Sequence, residues 1–215
     1  MDHTITRLRF RRRGSEVQVH LDGQPAFTVD TLRAARLKVG GKLTPDQCSA
    51  LSRHADRNRA WRQALSYLGR RARSRREMAD YLQRKGYGRS VRRHVLERLE
   101  EHEYLDDHAF ARMWVDNRLR SSPRAVRALR YELKQKGVDD SLIGKVLADV
   151  DEDRAARQAA QSRLRRWKNL DTRTLRVKLG RFLAGRGFGG DTIGRTCQWA
   201  QEAVNGDDRV INSDL

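Results

Sequence analysis

The chain has 215 residues, enough for one or two ordinary domains or for one short array of repeats. Its hydrophobic fraction of 38% is low and its charged fraction of 34% is high for a globular protein, so a single deep core is not expected. Lys and Arg number 46 against 28 Asp and Glu, and the net charge of +18 favours polyanionic partners. No signal peptide, membrane-spanning run or cysteine pair with redox or metal spacing is recognisable, so a cytoplasmic protein is expected.

The N-terminal segment, residues 1–58, is predicted to form a small antiparallel β meander followed by two short helices. Three short runs predict the strands: Thr4 to Phe10, Val17 to Leu21 and Ala26 to Val29. The Asp22-Gly23 pair supplies a hairpin turn. Asp30 is suited to cap a first helix, and Thr44 with Gln47 forms a capping box that starts a second.

One sequence motif occurs three times in the rest of the chain, with a glycine at the same position in each copy. The copies read YLQRKGYGRSV, ELKQKGVDDSL and FLAGRGFGGDT, and their aligned glycines are Gly86, Gly137 and Gly187. Apolar residues stand eight and four positions before each glycine, on one helical face: Met78 and Leu82, Leu129 and Leu133, Leu179 and Leu183. This period predicts three tandem three-helix repeats, at residues 59–105, 106–152 and 153–203, with a disordered tail at 204–215.

Each glycine is predicted to end the second helix of its repeat in the left-handed conformation, which glycine adopts without strain. The base before the glycine is Lys85, Lys136 or Arg186. At that place the helix dipole favours a cation. These three bases therefore have two interpretations, stabilisation of the helix end or binding of a partner.

Polar residues with capping chemistry mark several predicted helix starts. Ser74 followed by Glu77 forms a capping box. Ser122 before Pro123 is an N-cap followed by proline at the first helical position. Asp171 is placed to cap a helix of the third repeat.

Two stretches, RARSRREMADYLQRKGY and YLDDHAFARMWVDNRLRSSPRAVRALRYELKQKGV, resemble the RecX family, bacterial regulators of the RecA recombinase. The resemblance covers residues 59 to 203, and its most specific part is LDDHAFARMWVDNR. That part holds the motif residues Leu105, Asp106, Asp107, Phe110 and Trp114. The resemblance implies tandem three-helix repeats that curve into a basic groove. In this family the groove would bind along the RecA filament and suppress its activity, with some affinity for DNA itself.

Basic charge is unevenly distributed over the predicted repeats. The first has 13 bases and 6 acids (+7), the second 9 and 9 (0), and the third 12 and 4 (+8). Arg120, Arg124 and Arg127 recur at spacings of four and three, which predicts one side of a helix. Such bases form either a binding groove or the solvated face of a charged helix. The groove hypothesis names Arg73, Arg75, Arg76, Lys85, Arg118, Arg120, Arg124, Arg127, Arg130, Lys134, Lys136, Arg163, Arg165, Arg166, Lys168, Arg176, Lys178 and Arg186.

Motifs that would indicate a catalytic or cofactor site fail on spacing or context. GRGFGG, residues 185–190, formally matches a dinucleotide fingerprint, but a helix rather than a strand is predicted before it. The acidic and histidine residues from Glu101 to His108 match no metal-ligand spacing, and Asp106 is better explained as a helix start. Trp114 and Trp167 are expected to pack in cores. We therefore expect no cofactor, no metal and no catalytic residue.

The sequence is compatible with three functions, in decreasing order of support. The first, implied by the resemblance, is a regulator that binds RecA and its nucleoprotein filament, inhibits filament extension, ATP hydrolysis and strand exchange, and so modulates recombination and the DNA damage response. The second is a non-specific nucleic-acid-binding protein without a dedicated protein partner, held by phosphate contacts. An enzyme such as a nuclease ranks last, because no set of carboxylates and histidines has site-like spacing. We expect a monomer that binds single- and double-stranded DNA weakly.

Overall fold

The computed structural model describes residues 1–10, 16–167 and 169–205. The chain divides into two compact units. The first comprises Met1–Arg73 and Glu77–Leu105, and the second comprises Ser74–Arg76 and the chain from Asp106 onward. Of the predicted tail at 204–215, residues 206–215 lie outside the described residues, and the two before them belong to the last helix.

An antiparallel sheet opens the first unit, and it has one strand more than the sequence predicts. The strands are β1 (His3–Phe10), β2 (Glu16–Leu21), β3 (Gln24–Asp30) and β4 (Lys42–Leu43), in the order β3-β2-β1-β4. Alternation places Ile5, Val17 and Val19 in a buried cluster on one face. The fourth strand was missed because two residues are too short to show any alternation.

Two helices follow the sheet strands, and the second is much longer than predicted. Helix α1 (Thr31–Ala34) begins after Asp30, which accepts a hydrogen bond from the Arg33 N–H. Helix α2 (Pro45–Leu68) begins at the predicted capping box, in which Thr44 and Gln47 satisfy each other's backbone N–H groups. The prediction of a short helix was wrong because no glycine or proline interrupts α2 after Pro45.

The remaining chain is helical, and the fold class predicted from the sequence is confirmed. The helices are α3 (Arg75–Arg84), α4 (Arg89–Glu101), α5 (Asp107–Ser121), α6 (Val126–Gln135), α7 (Asp140–Leu147), α8 (Glu152–Trp167), α9 (Thr172–Ala184) and α10 (Gly190–Asn205). Three separate hydrophobic clusters serve α2–α4, α5–α7 and α8–α10. The six aligned residues, Met78, Leu82, Leu129, Leu133, Leu179 and Leu183, are all fully buried in these clusters. The predicted repeat phase is therefore correct.

The three aligned glycines end their helices as predicted. Gly86, Gly137 and Gly187 have φ values of +84°, +77° and +93°. In each repeat the N–H of the next residue donates to the carbonyl of the buried leucine four positions before the glycine, Leu82, Leu133 or Leu183. This is the bonding pattern of a Schellman motif, and it explains why the sequence motif recurs as a unit.

Helix starts agree with the predicted caps at some positions and differ at one. The Asp106 and Asp171 carboxylates accept backbone N–H bonds at the starts of α5 and α9. The predicted N-cap at Ser122 is wrong, because the N-cap of α6 is Ala125, three residues later. Ala125 is extended, and its N–H donates to the Arg186 carbonyl at 3.2 Å, so this segment bonds to the third repeat instead of continuing α6 towards its N-terminus.

Candidate functional site

The basic residues of the groove hypothesis divide into exposed and packed side chains. In the second unit the exposed ones are Arg75, Arg76, Arg120, Arg127, Lys134, Arg165, Arg166, Arg176 and Lys178. The partly buried ones are Arg118, Arg124, Arg130, Lys136, Arg163 and Arg186. Arg73 and Lys85 belong to the first unit, and Lys168 lies outside the described residues. The exposed side chains are accessible to a ligand, whereas neighbouring residues cover much of each partly buried one.

Glu132 on α6 holds several side chains of the second repeat. Its Oε2 accepts a hydrogen bond of 2.8 Å from Arg118 Nε and another of 2.8 Å from Trp114 Nε1. Its Oε1 lies 3.2 Å from Arg124 Nε. The Glu132 side chain is 15% exposed, so these ion pairs are shielded and stronger than surface pairs.

The Trp114 ring contacts two cations that the groove hypothesis includes. Arg118 and Lys136 stand 5.0 Å and 4.9 Å from the ring centroid. Trp114 also packs against the core cluster of the second repeat and 6.0 Å from Phe110. The expectation that this tryptophan packs in a core is confirmed. Its cations are engaged in cation–π contacts, which reduces what they offer to a ligand.

Arg120, Arg124 and Arg127 do not share a helix, so the prediction of one helical side is wrong. Arg120 lies in the last turn of α5, Arg124 in the connection, and Arg127 in α6. The serine–proline pair ends α5 instead of starting α6, which breaks the helical spacing. Each arginine has its own partner: Arg120 bonds Asn117 at 3.0 Å, Arg124 pairs with Glu132, and Arg127 donates to the Gly187 carbonyl.

Arg186 is held by polar and aromatic contacts rather than by its own helix end. Its Nη1 donates to Ser122 Oγ and to the Pro123 carbonyl, both at 2.9 Å, and its guanidinium lies 4.5 Å from the Phe182 ring centroid. Arg163 lies 4.9 Å from the same ring. Burial, with smaller effects from the charges of Arg124 and Arg163, lowers the pKa of Arg186. The three guanidiniums therefore form a positively charged cluster.

The first unit has a smaller basic and aromatic cluster. The rings of Tyr67 and Tyr81 stack in parallel, with centroids 4.0 Å apart. Arg73 lies 3.9 Å from the Tyr67 centroid and Lys85 lies 5.7 Å from the Tyr81 centroid. Lys85 is exposed, whereas Arg73 is partly buried by this contact. Replacement of Arg73 would therefore change packing as well as charge.

The part of the chain that the structure describes offers no group of three or more His, Cys, Asp or Glu side chains placed to hold a metal ion. Within the same residues, none of the helices is both long and apolar enough to cross a bilayer. Both units expose arginine and lysine side chains, whose guanidinium and ammonium groups bind anions.

Comparison with known proteins identifies the family. RecX family models match residues 60–99 as the first three-helix domain, 106–147 as the second and 151–196 as the third. The regulatory protein RecX of Bacillus licheniformis is 31% identical over 200 residues, which cover 90% of this chain and 76% of that protein. The chain belongs to the RecX family.

Other RecX proteins are similar over the helical repeats. That of Prosthecochloris aestuarii is 37% identical over 142 residues, covering 66% of this chain and 93% of the relative. A crystal structure of a regulatory protein RecX superposes with a TM-score of 0.68 and 23% identity, covering 91% of this chain and 99% of that one. The crystal structure of RecX from Lactobacillus salivarius superposes with a TM-score of 0.60 and 21% identity, covering 68% of this chain and 97% of that one. These solved structures have the same fold.

Sequence reasoning missed the role of Glu132 in this RecX chain. The residue was counted only among the acids of the neutral second repeat, without regard to its position on α6. A usable signal exists, because Glu132 stands directly before buried Leu133 and among Arg130, Lys134 and Lys136. A single acid in a basic helix is a candidate for the residue that pairs with several bases.

Proposed function

We propose that this protein is a regulator that binds the RecA recombinase and its filament on DNA and inhibits filament extension, ATP hydrolysis and strand exchange. Membership of the RecX family supports the assignment, because the relatives that cover most of the chain are regulatory proteins RecX. The net charge of +18 favours a nucleoprotein target, since the nucleic acid in such a filament is a polyanion.

The observation that carries the proposal is a group of exposed, unneutralised bases on the third repeat. Arg165 and Arg166 lie on α8, and Arg176 and Lys178 lie on α9. None of the four forms an ion pair with the described residues. On the second repeat, by contrast, Arg118 and Arg124 pair with Glu132, and Lys134 pairs with Asp140 at 2.9 Å.

This contrast gives the third repeat the larger part in binding. Exposed bases keep their full charge for a partner, whereas a base in an ion pair must break that pair first. Phosphate contacts from such residues give affinity that depends on salt and not on base sequence. Specific inhibition would then require contacts with RecA in addition to contacts with DNA.

The test is the rate of RecA-catalysed ATP hydrolysis on single-stranded DNA, measured with increasing amounts of this protein. The titration is repeated at several DNA concentrations, from about the number of sites that the protein could occupy to a large excess over them. A regulator of RecA should inhibit to the same extent at each DNA concentration. Inhibition that disappears as DNA is added would instead support a nucleic-acid-binding protein that acts by sequestration.

A further inference from the structure

A polar depression of about 370 Å³ lies within the second unit, between the end of α5 and the middle of α8. Arg120, Arg165 and Arg186 line it, from α5, α8 and the segment after α9. Serine and glutamine side chains and Pro123 complete the lining, which contains no carboxylate among the described residues. Ligand sites of this size usually have a mainly apolar lining, so the composition favours a small anion over an apolar ligand.

We propose that this depression is a phosphate-binding site, which takes either a phosphate of a nucleic-acid backbone or a free phosphate. Guanidinium groups bind phosphate through charge-assisted and often bidentate hydrogen bonds. Three guanidinium groups, from α5, α8 and the segment after α9, line this one depression. Their spacing in the sequence does not predict that they come together.

Arg186 is already positioned for this role. Two hydrogen bonds from its Nη1, to Ser122 Oγ and the Pro123 carbonyl, fix the guanidinium, which carries five N–H donors in total. Holding the side chain in advance lowers the entropy cost of binding a ligand. Burial, with smaller effects from the charges of Arg124 and Arg163, lowers the pKa of Arg186, and an anion bound beside Arg186 in the depression would favour its charged form.

Arg165 is the arginine of the site that can be substituted with least effect on the fold. It is exposed on α8 and forms no hydrogen bond or ion pair with the described residues. The hydroxyl groups contribute less, because Ser121 Oγ donates to the Asn117 carbonyl at 2.7 Å and Ser162 Oγ donates to the Ala159 carbonyl at 2.8 Å. The arginines therefore provide most of the recognition.

A neighbouring depression of about 460 Å³ supplies the control. It shares Arg120 with the proposed site, but Asp116, Asp149 and Asp151 also line it, so its charge is balanced. Arg154 lines only this neighbour and is exposed on α8, the same helix as Arg165. Arg154→Gln removes the same charge from the same helix as Arg165→Gln without touching the proposed site.

Binding of a fluorescent oligo-dT to the full chain, over a series of NaCl concentrations, tests the nucleic-acid source, which rests on the proposed function. Arg165→Gln should reduce the salt slope of the affinity by about one unit, as expected for one lost phosphate contact. Arg154→Gln should have the same salt slope of the affinity as the parent.

The melting temperature in sodium phosphate and in NaCl at equal ionic strength tests free phosphate without any DNA. Phosphate should raise the melting temperature of the parent and of Arg154→Gln, but not that of Arg165→Gln. A changed slope without this stabilisation would assign the site to backbone phosphates, and stabilisation without a changed slope would assign it to free phosphate.

Equal behaviour of the two variants in both experiments would overturn the phosphate site. RecA ATPase inhibition, measured with the same proteins, separates this outcome from a failure of the proposed function. If the parent inhibits RecA while the two variants stay indistinguishable in both binding experiments, only the phosphate site is excluded.

Discussion

Arg118 on α5 and Glu132 on α6 form an ion pair of 2.8 Å within the second repeat. The same carboxylate binds Trp114 and pairs with Arg124, so one acid engages two of the arginines that the groove hypothesis assigned to a partner. These two arginines therefore contribute first to the structure of the repeat. The exposed bases without an ion pair among the described residues include Arg165 and Arg166 on α8 and Arg176 and Lys178 on α9 of the third repeat.

Glu132→Gln should destabilise the protein by about 1–3 kcal/mol, because it leaves two partly buried guanidiniums without their counter-charge. Urea unfolding followed by circular dichroism measures the free energy. The matched control is Glu97→Gln, whose pair with Arg93 is long, at 3.8 Å, and exposed on both sides. The control should cost less than about 0.5 kcal/mol. An equal decrease in the free energy of unfolding for the two variants would show that the ion pairs of Glu132 do not stabilise the repeat.

Leu133→Ala should cost about 2–5 kcal/mol, since the side chain is fully buried and its loss leaves a cavity in the second repeat. Unfolding could then spread, because neighbouring repeats stabilise one another. Tyr131→Ala, two residues earlier on α6 and 65% exposed, should change stability by less than about 0.5 kcal/mol. A parent-like thermal melt of Leu133→Ala would refute the alignment of the repeats on glycine.

Gly137→Ala should be more harmful than Gly86→Ala, although both glycines have positive φ. At Gly86 an added Cβ meets nothing within 4 Å, so the cost should be the conformational strain of about 1–2 kcal/mol. At Gly137 the added Cβ would overlap the Arg76 side chain, which must move. Unfolding free energies of the two variants make the comparison, and equal values would contradict the close approach of Arg76.

Acid should weaken the start of α9. Hydrogen bonds from the side chain and backbone N–H of Thr174 lower the pKa of Asp171 from its ordinary value of 3.8. The stabilisation is therefore complete above that value and is lost as the pH falls through the lower pKa of the folded protein.

Asp171→Asn should melt like the parent near neutral pH, because asparagine is also a good N-cap. Between about pH 5 and pH 2, where the parent loses the stabilisation from Asp171, the melting temperature of Asp171→Asn should fall less than that of the parent. Asp116→Asn, exposed in the middle of α5, serves as control and should follow the parent. If all three proteins showed the same pH dependence, the Asp171 cap would contribute nothing.

The repeat architecture was predictable because it depends on local signals. Glycine at a left-handed helix end and leucines four residues apart are dictated by backbone geometry, so Gly137 and Leu133 could be assigned from the sequence. The length of α2 was underestimated because the sequence was interpreted as two helices, a short N-terminal one and the first helix of a repeat. The structure has one continuous helix there.

The arrangement of the basic residues was not predictable in the same way. Spacing put Arg120, Arg124 and Arg127 on one helix, but the bond from Ala125 to the Arg186 carbonyl, 61 residues away, keeps the segment before α6 extended. The pairing of Glu132 with Arg118 likewise joins two helices. Contacts between residues far apart in the chain decide both features, and the periodicity of one segment has no information about them.

The central claim is tested most directly by RecA ATPase inhibition with charge-reversal variants at excess single-stranded DNA. One variant carries Arg75→Glu and Arg76→Glu, a second carries Arg165→Glu and Arg166→Glu, and a third carries all four. Arg73 and Arg163 are left unchanged because each packs on an aromatic ring. Circular dichroism and melting temperature verify folding, because the Arg76 side chain packs against Gly137 and its replacement changes that contact. The other exposed substitutions should change stability by less than about 0.5 kcal/mol each.

Each double variant should inhibit RecA less than the parent, and the quadruple variant should lose more than the two losses combined, because a tethered second contact acts at high effective concentration. Arg112→Glu with Arg154→Glu, exposed on α5 and α8 and outside the groove hypothesis, is the charge-matched control and should inhibit like the parent. Full inhibition by a well-folded quadruple variant would contradict the claim that these basic residues form the surface that binds the RecA filament.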